Sequence, residues 1–289
     1  MEDRKVAVVA GASRGIGLDT AKWLISRGWE VAICASNASG LRAAASDIET
    51  FGGSSVYSEV LDISEYPATQ RFSENVRRQC GRVSLLICSA AVLGPVGSIT
   101  DIDPLQMEHA VRINTLGPMN VIRSFATQLF ERSGSRAVLF SGGGLGGNAV
   151  LGGAPCYVPS KAFCVLLVEL LAREFAGVKG SIMAISPGLM PTNFMRSALE
   201  YANTVIPSDL ARAAGEQERL RVSRTGMDLD LFFRLLERFM SPQGERMNGR
   251  LLSAKWDADL NFGDNLTEDS EALLQLRRID GTLFSALER

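Results

Sequence analysis

The chain has 289 residues, enough for one large domain or two small ones with a substantial core. Hydrophobic residues make up 46% and charged residues 21%, an ordinary globular composition, and a formal net charge of −2 argues against nucleic acid or an anionic membrane as partner. The five cysteines (34, 80, 88, 156, 164) form no CxxC pair or ligand cluster, and His109 is the only histidine. Neither a disulfide framework nor a metal site is therefore expected, and reduced thiols in a cytoplasmic protein are the simpler expectation. The opening MEDRKVAVVAG has no signal-peptide core, and no apolar run approaches the roughly 18 residues that span a bilayer.

In chain order, KVAVVA (5–10) is an apolar, β-branched run that predicts a strand. Gly-Ala-Ser-Arg-Gly-Ile-Gly (11–17) follows at once, then LDTAKWLISRG at helical spacing, with Gly28 closing the helix. Strand, glycine turn and helix together form the setting of a dinucleotide-binding loop. Glycines let backbone approach a pyrophosphate, and the helix N-terminus presents N–H groups to it. A second strand is predicted at 30–36, a helix at 39–51, a third strand at 55–64 ending in Asp62-Ile63, and a helix near 66–79. VSLLICSAA (83–91) reads as a strand buried on both faces. One helix through 104–131 contains Asn114, and strands follow at 136–144 and 180–188 with a long helix between them. A helix at 228–240 and a strand at 248–257 complete the alternation, which implies an α/β fold: a doubly wound parallel sheet in a single domain over 1–257. Residues 193–226 read as a helical excursion and 258–289 as a charged tail.

The long helix opens with Tyr157-Val-Pro-Ser-Lys161. Residues at i and i+4 share a helix face, roughly 5–6 Å apart at Cβ. A tyrosine with a free pKa of about 10 is a poor acid near neutrality, and a neighbouring ammonium favours the phenolate. The pair therefore suits a proton donor with its own tuning charge.

From these motifs the chain resembles the short-chain dehydrogenase/reductase family over roughly residues 4–257. The resemblance rests on the glycine loop at 11–17, Asp62 after the third strand and Asn114 in VRINTLG. It continues with Tyr157 and Lys161, then Pro187-Gly188 with Thr192. It implies hydride transfer between a nicotinamide cofactor and a carbonyl or alcohol. Tyr157 would be the general acid/base, Lys161 would bind the nicotinamide ribose and tune Tyr157, and Asn114 would orient Lys161 and a relay water. The cofactor would lie along Gly11, Ser13, Arg14, Gly15, Ile16 and Gly17. Ser36, Asn37, Ile63 and Ala90 would also bind the cofactor, and Asp62 would contact the adenine. Lys161, at the nicotinamide ribose, and Pro187, Gly188 and Thr192 would complete the cofactor site. Asp62 could equally cap a helix, and Asn114 could equally bond to backbone.

The place after the second strand, where NAD-preferring folds carry an acid for the ribose 2′-OH, reads Cys34-Ala35-Ser36-Asn37. With no carboxylate there, and with Arg14 in the loop to pair a phosphate, NADP(H) is expected over NAD(H).

Three departures from the family pattern stand out. Ala10 replaces the usual Thr, and Cys88-Ser89-Ala90-Ala91 replaces Asn-Asn-Ala-Gly, so both halves of one family contact are changed and a repacked strand end is expected. The usual serine position thirteen residues before the tyrosine is Gly144. Ser141 is the nearby hydroxyl and the candidate catalytic serine, whereas an ungapped match through the fifth strand puts Gly142 in that role.

The expected activity is an NADPH-dependent carbonyl reductase, or alcohol dehydrogenase in reverse, on a small-molecule ketone or secondary alcohol. A homodimer or homotetramer is implied by the resemblance. The alternatives are a low-turnover NADP(H)-binding sensor or partner subunit, and an epimerase or dehydratase with tightly held cofactor.

Overall fold

The computed structural model describes residues 4–131, 133–142, 154–187 and 227–259. Strand β1 (Val6–Ala10) leads through the glycine turn into α1 (Gly15–Ile25); β2 (Glu30–Ala35), α2 (Ala38–Gly52), β3 (Tyr57–Val60) and α3 (Tyr66–Gln79) follow. Next come β4 (Val83–Cys88), α4 (Pro104–Val111), a π-helical turn (Arg112–Leu116) and α5 (Gly117–Phe130). The remaining elements are β5 (Arg136–Phe140), α6 (Tyr157–Gly177), β6 (Ser181–Ser186), α7 (Met227–Met240), a short 3-10 helix (Pro242–Met247), β7 (Leu251–Ser253) and α8 (Ala254–Asp257).

The strands form one seven-stranded sheet in the order β3-β2-β1-β4-β5-β6-β7, and every pairing is parallel. Alternation within the strands explains why they read as unbroken apolar runs. On β1, Ala7 and Val9 enter a core roofed by α1, α2 and α7, where Leu24, Ile48, Phe232 and Phe239 are fully buried. Val6, Val8 and Ala10 enter the opposite core beneath α3, α5 and α6, with Phe72, Phe125 and Phe175. Parallel strands covered on both faces need apolar residues at every position. The architecture is the single-domain, doubly wound α/β sheet that the alternation predicts.

The strands expected at 83–91, 136–144 and 180–188 end earlier, at Cys88, Phe140 and Ser186, and three further boundaries differ. The third strand is only Tyr57–Val60, so Asp62 and Ile63 stand in the turn beyond it. The last strand is Leu251–Ser253, and the chain turns directly into α8, where Asp257 accepts the Ser253 N–H at 2.7 Å. The expected continuous helix at 104–131 is two helices joined by the π-helical turn, in which Gly117 N–H reaches back five residues to Arg112 O. Pro118 supplies the reason. Lacking an N–H, it cannot bond the Asn114 carbonyl four residues earlier, so a regular α-ladder cannot pass this point.

The strand order reverses between β1 and β4, whose C-terminal ends, Ala10 and Cys88, lie side by side. In open α/β sheets the crevice at such a switch point is where ligands bind. The loops leaving β1 and β4 meet there, with the end of β5 beside β4. The 193–226 excursion and the tail beyond 259 lie outside the described residues.

Candidate active site

At the end of β1 the backbone turns sharply, and the Gly11 and Ala12 N–H groups both donate to Cys34 O of β2, at 2.8 and 3.3 Å. Gly11 has φ +93, and a Cβ there would stand 2.6 Å from Ala90 Cα in the loop after β4. Gly17 is pressed equally close: its Cβ would stand 2.6 Å from Ser89 Oγ and would collide with Gly11 O. Only glycine meets both demands. Ser13 and Arg14 lie in the turn between them; Arg14 is exposed and takes the N-cap position of α1 without a side-chain capping bond. Gly15, Ile16 and Gly17 open the helix, and Ile16 O accepts the Thr20 hydroxyl at 2.6 Å. The first N–H groups of α1 thus receive no cap from Arg14 at the positive end of the helix dipole, a cradle that suits a pyrophosphate.

After β2, Ser36 and Asn37 are exposed. Asn37 Oδ1 caps α2, accepting Gly40 N–H at 2.6 Å and the Ser39 hydroxyl at 2.9 Å. Asp62 closes its own turn, accepting the Ser64 N–H at 2.8 Å. Ile63 is buried against Gly117, and its carbonyl accepts an Asn120 amide hydrogen at 3.1 Å.

Ser89 was not singled out by the sequence, yet it repairs the altered strand end. Its hydroxyl donates to Ala10 O at 3.0 Å, and the Ser89 and Ala90 N–H groups also point to Ala10 O. The hydroxyl that ties β1 to the β4 loop has moved from one strand to the other. The visible signal was the pairing of Ala10 with a serine after β4.

Tyr157 opens α6, and Lys161 one turn later is buried, with 4% of its surface exposed. Lys161 Nζ donates to Phe140 O, the last carbonyl of β5, at 3.0 Å and lies 5.2 Å from the centre of the Tyr157 ring. Asn114 is fully buried in the π-helical turn. Its side chain clamps Val92 in the β4 loop, donating to Val92 O at 2.7 Å and accepting Val92 N–H at 2.9 Å. Its main-chain carbonyl, the one Pro118 cannot bond, accepts the Cys164 thiol at 3.8 Å.

Ser141 continues the β5 ladder through its N–H to Ile185 O at 2.8 Å, and its buried hydroxyl has no hydrogen-bond partner among the described residues. The next residue, Gly142, faces the tyrosine: a Cβ built there lies 3.4 Å from Tyr157 Oη. Pro187 follows β6 and is partly buried, whereas Gly188 and Thr192 lie outside the described residues. The crevice therefore brings together the glycine loop, Ala90, Tyr157, Lys161 and the ends of β4 and β5.

Burial pushes the Cys88 thiol up to about 12, with Cys164 beside it adding to the shift and Lys161 opposing it. Burial first and then Cys88 hold the Cys34 thiol above its ordinary range. These thiols pack the strand ends as neutral groups. Among the described residues no group of three His, Cys, Asp or Glu could hold a metal ion, and no helix is long and apolar enough to cross a membrane.

Residues 5–202 match the family model for short chain dehydrogenase. An uncharacterized short-chain type dehydrogenase/reductase of Sinorhizobium fredii is 30% identical over 65% of this chain and 75% of its own length. The 3-oxoacyl-[acyl-carrier-protein] reductase of Bos taurus is 30% identical over 68% of this chain and 80% of its own. A versicolorin reductase of Emericella nidulans is 26% identical over 86% and 94%. Among solved structures, an actinorhodin polyketide ketoreductase with NADPH superposes with a TM-score of 0.74 at 22% identity, covering 88% of this chain and 96% of the other. An NAD+-bound xylitol dehydrogenase superposes with a TM-score of 0.73 at 20% identity, covering 88% and 98%. The chain belongs to the short-chain dehydrogenase/reductase family, a family of oxidoreductases, and this crevice is its candidate active site. Fold neighbours with NADPH and with NAD+ are equally similar, so the fold leaves the cofactor choice to individual residues.

Proposed function

We propose that this protein is an NADP(H)-dependent carbonyl reductase acting on a small-molecule ketone, or the corresponding alcohol in reverse. The observation that carries the reading is the placement of Tyr157 and Lys161 in the crevice that the Gly11–Gly17 cradle opens. A nicotinamide held there would supply the hydride. Tyr157 gives its phenolic proton to the substrate oxygen, so that a C=O becomes a CH–OH with atoms and charge balanced. Lys161, held by Phe140 O, stabilises the negative charge left on Tyr157 and binds the ribose hydroxyls. Asn114 keeps the β4 loop in place through Val92, and any part it takes beside Lys161 falls to its main-chain carbonyl.

NADP(H) is proposed over NAD(H) because β2 ends in Cys34-Ala35-Ser36-Asn37, without a carboxylate to repel a 2′-phosphate, while the exposed Arg14 can pair with one. Pro187, Gly188 and Thr192 are proposed to border the nicotinamide, and Asp62, Ile63 and Ala90 the adenine side. Cytoplasmic placement suits the five free thiols. A homo-oligomer is proposed through α6, where Leu166 and Leu170 share one face and stay exposed.

NADPH oxidation with a panel of ketones tests the reading. Turnover with NADPH, weaker turnover with NADH, and a loss of roughly 10²–10⁴-fold in Tyr157→Phe are expected. Tight NADPH binding with equal, near-zero rates in both proteins would instead favour the low-turnover sensor, for which the bare Gly142 position speaks. Product without net NADPH consumption would favour an epimerase or dehydratase.

A further inference from the structure

The start of α5 reaches the loop that leaves β3 as well as the one that leaves β4. Asp62-Ile63-Ser64-Glu65 turns the chain from β3 into α3 and closes on itself: the Ser64 N–H donates to Asp62 Oδ1 at 2.8 Å, and the Glu65 N–H donates to Asp62 O at 3.1 Å. The carbonyls of those same two peptide groups are held from outside by one side chain. Asn120 Nδ2 donates to Ile63 O at 3.1 Å and to Ser64 O at 3.0 Å, one bond for each of its amide hydrogens. Two successive peptide planes are thus fixed at both edges. Ile63 itself is buried against Gly117, where a Cβ would stand 2.5 Å from its terminal methyl group. The Arg112–Glu65 ion pair, at 3.1 Å, is exposed and adds little beside these contacts.

We propose that Asn120 is a positioning residue for the cofactor: by holding the Asp62–Glu65 turn from α5, it sets Asp62 and Ile63 to read the adenine of the dinucleotide. With the turn pinned, the Ile63 N–H and the second carboxylate oxygen of Asp62 are a neighbouring donor and acceptor with no partner among the described residues. Adenine carries the complementary amino donor and ring acceptor on one edge. Without the Asn120 amide both carbonyls of the turn pass to water and its peptide planes are free to rotate. Adenine recognition then weakens, while Tyr157 and Lys161 at the other end of the crevice are untouched. This deepens the reductase reading and rests on its dinucleotide site.

The test is equilibrium binding of NADPH, NADH and their hypoxanthine counterparts, in which the base presents an acceptor where adenine has its amino donor. The wild type is expected to bind the adenine form of its preferred dinucleotide about tenfold more tightly than the hypoxanthine form, the equivalent of one hydrogen bond. Asn120→Ala should weaken the adenine form about tenfold and shrink that preference to within about threefold, with kcat at saturating cofactor within about twofold of wild type. Asn120→Asp keeps the shape of the side chain but turns an acceptor toward two carbonyls, and should do the same or more. It also carries the test if the alanine variant does not fold, and melting checks both. Unchanged affinity in a folded variant would overturn the proposal, as would a wild type indifferent to the base. A parallel loss for both bases, with the preference kept, would overturn it too, since Asn120 would then serve only the fold. Dinucleotide binding that depends on Asn120 without turnover of any ketone sinks the reductase and leaves this inference standing; binding of no dinucleotide sinks both.

Discussion

At the scale of single residues, the site is shaped as much by side chains that are missing as by those present. Gly11 and Gly17 interlock with Ala90 and Ser89, and a Cβ at Gly142 would lie 3.4 Å from the Tyr157 hydroxyl oxygen. Ser141, the hydroxyl that proximity in sequence puts forward as the catalytic serine, is buried without a partner among the described residues. A buried hydroxyl with its hydrogen bond unmade carries a desolvation penalty of about 1–3 kcal/mol. Ser141→Ala is therefore expected to leave kcat/KM within about threefold of wild type and to hold or raise the melting temperature. A fall of about 10² in rate at unchanged stability would return Ser141 to the catalytic role.

At the scale of elements, the break between α4 and α5 positions the site. Pro118 interrupts the ladder, the chain winds through one π-helical turn, and Asn114 is left buried with its side chain aimed at the β4 loop. Removing that amide strands two main-chain groups of Val92. Asn114→Ala is expected to cost about 2–4 kcal/mol in urea unfolding, from two lost partners at about 1–2 kcal/mol each. Asn114→Asp, which turns an acceptor toward Val92 O in a fully buried place, should cost at least as much as Asn114→Ala. No change in stability for Asn114→Ala would show that Val92 finds other partners. The period of the apolar residues in 104–131 gave a single helix because one extra residue in a turn barely disturbs that period. The break was legible only in Pro118.

At the scale of the whole molecule, two consequences extend beyond the crevice. The exposed pair Leu166 and Leu170, 49% and 71% accessible on one face of α6, is proposed as part of a subunit contact. Sedimentation should show a smaller assembly for Leu170→Glu than for wild type, and identical masses would remove α6 from the interface. The buried thiols set an alkaline limit. Cys88 ionises at about 12 in the fold but near 8.5 in the unfolded chain, so its folded value is raised. The stability tied to the neutral thiol is complete below about 8.5 and drains away as pH climbs toward 12. The melting temperature should fall across that window, and less steeply in Cys88→Ala; parallel slopes in the two proteins would rule out Cys88 as a source.

The sequence by itself determined the sheet, its two cores and the pairing of Tyr157 with Lys161. Each depends on short-range periodicity: two for strands, about 3.6 for helices, four for residues stacked on one helix face. It also located the glycine loop, because strand, turn and helix are contiguous there. Tertiary structure alone decided the rest, since each remaining contact joins residues far apart in the chain. Ser89 returns a hydroxyl to Ala10 across 79 residues, Asn114 holds Val92 across 22, and Lys161 meets the Phe140 carbonyl across 21. The same holds for Gly142. Its register against Tyr157 depends on where β5 stops and how α6 returns, and no count of residues between glycine and tyrosine contains that distance.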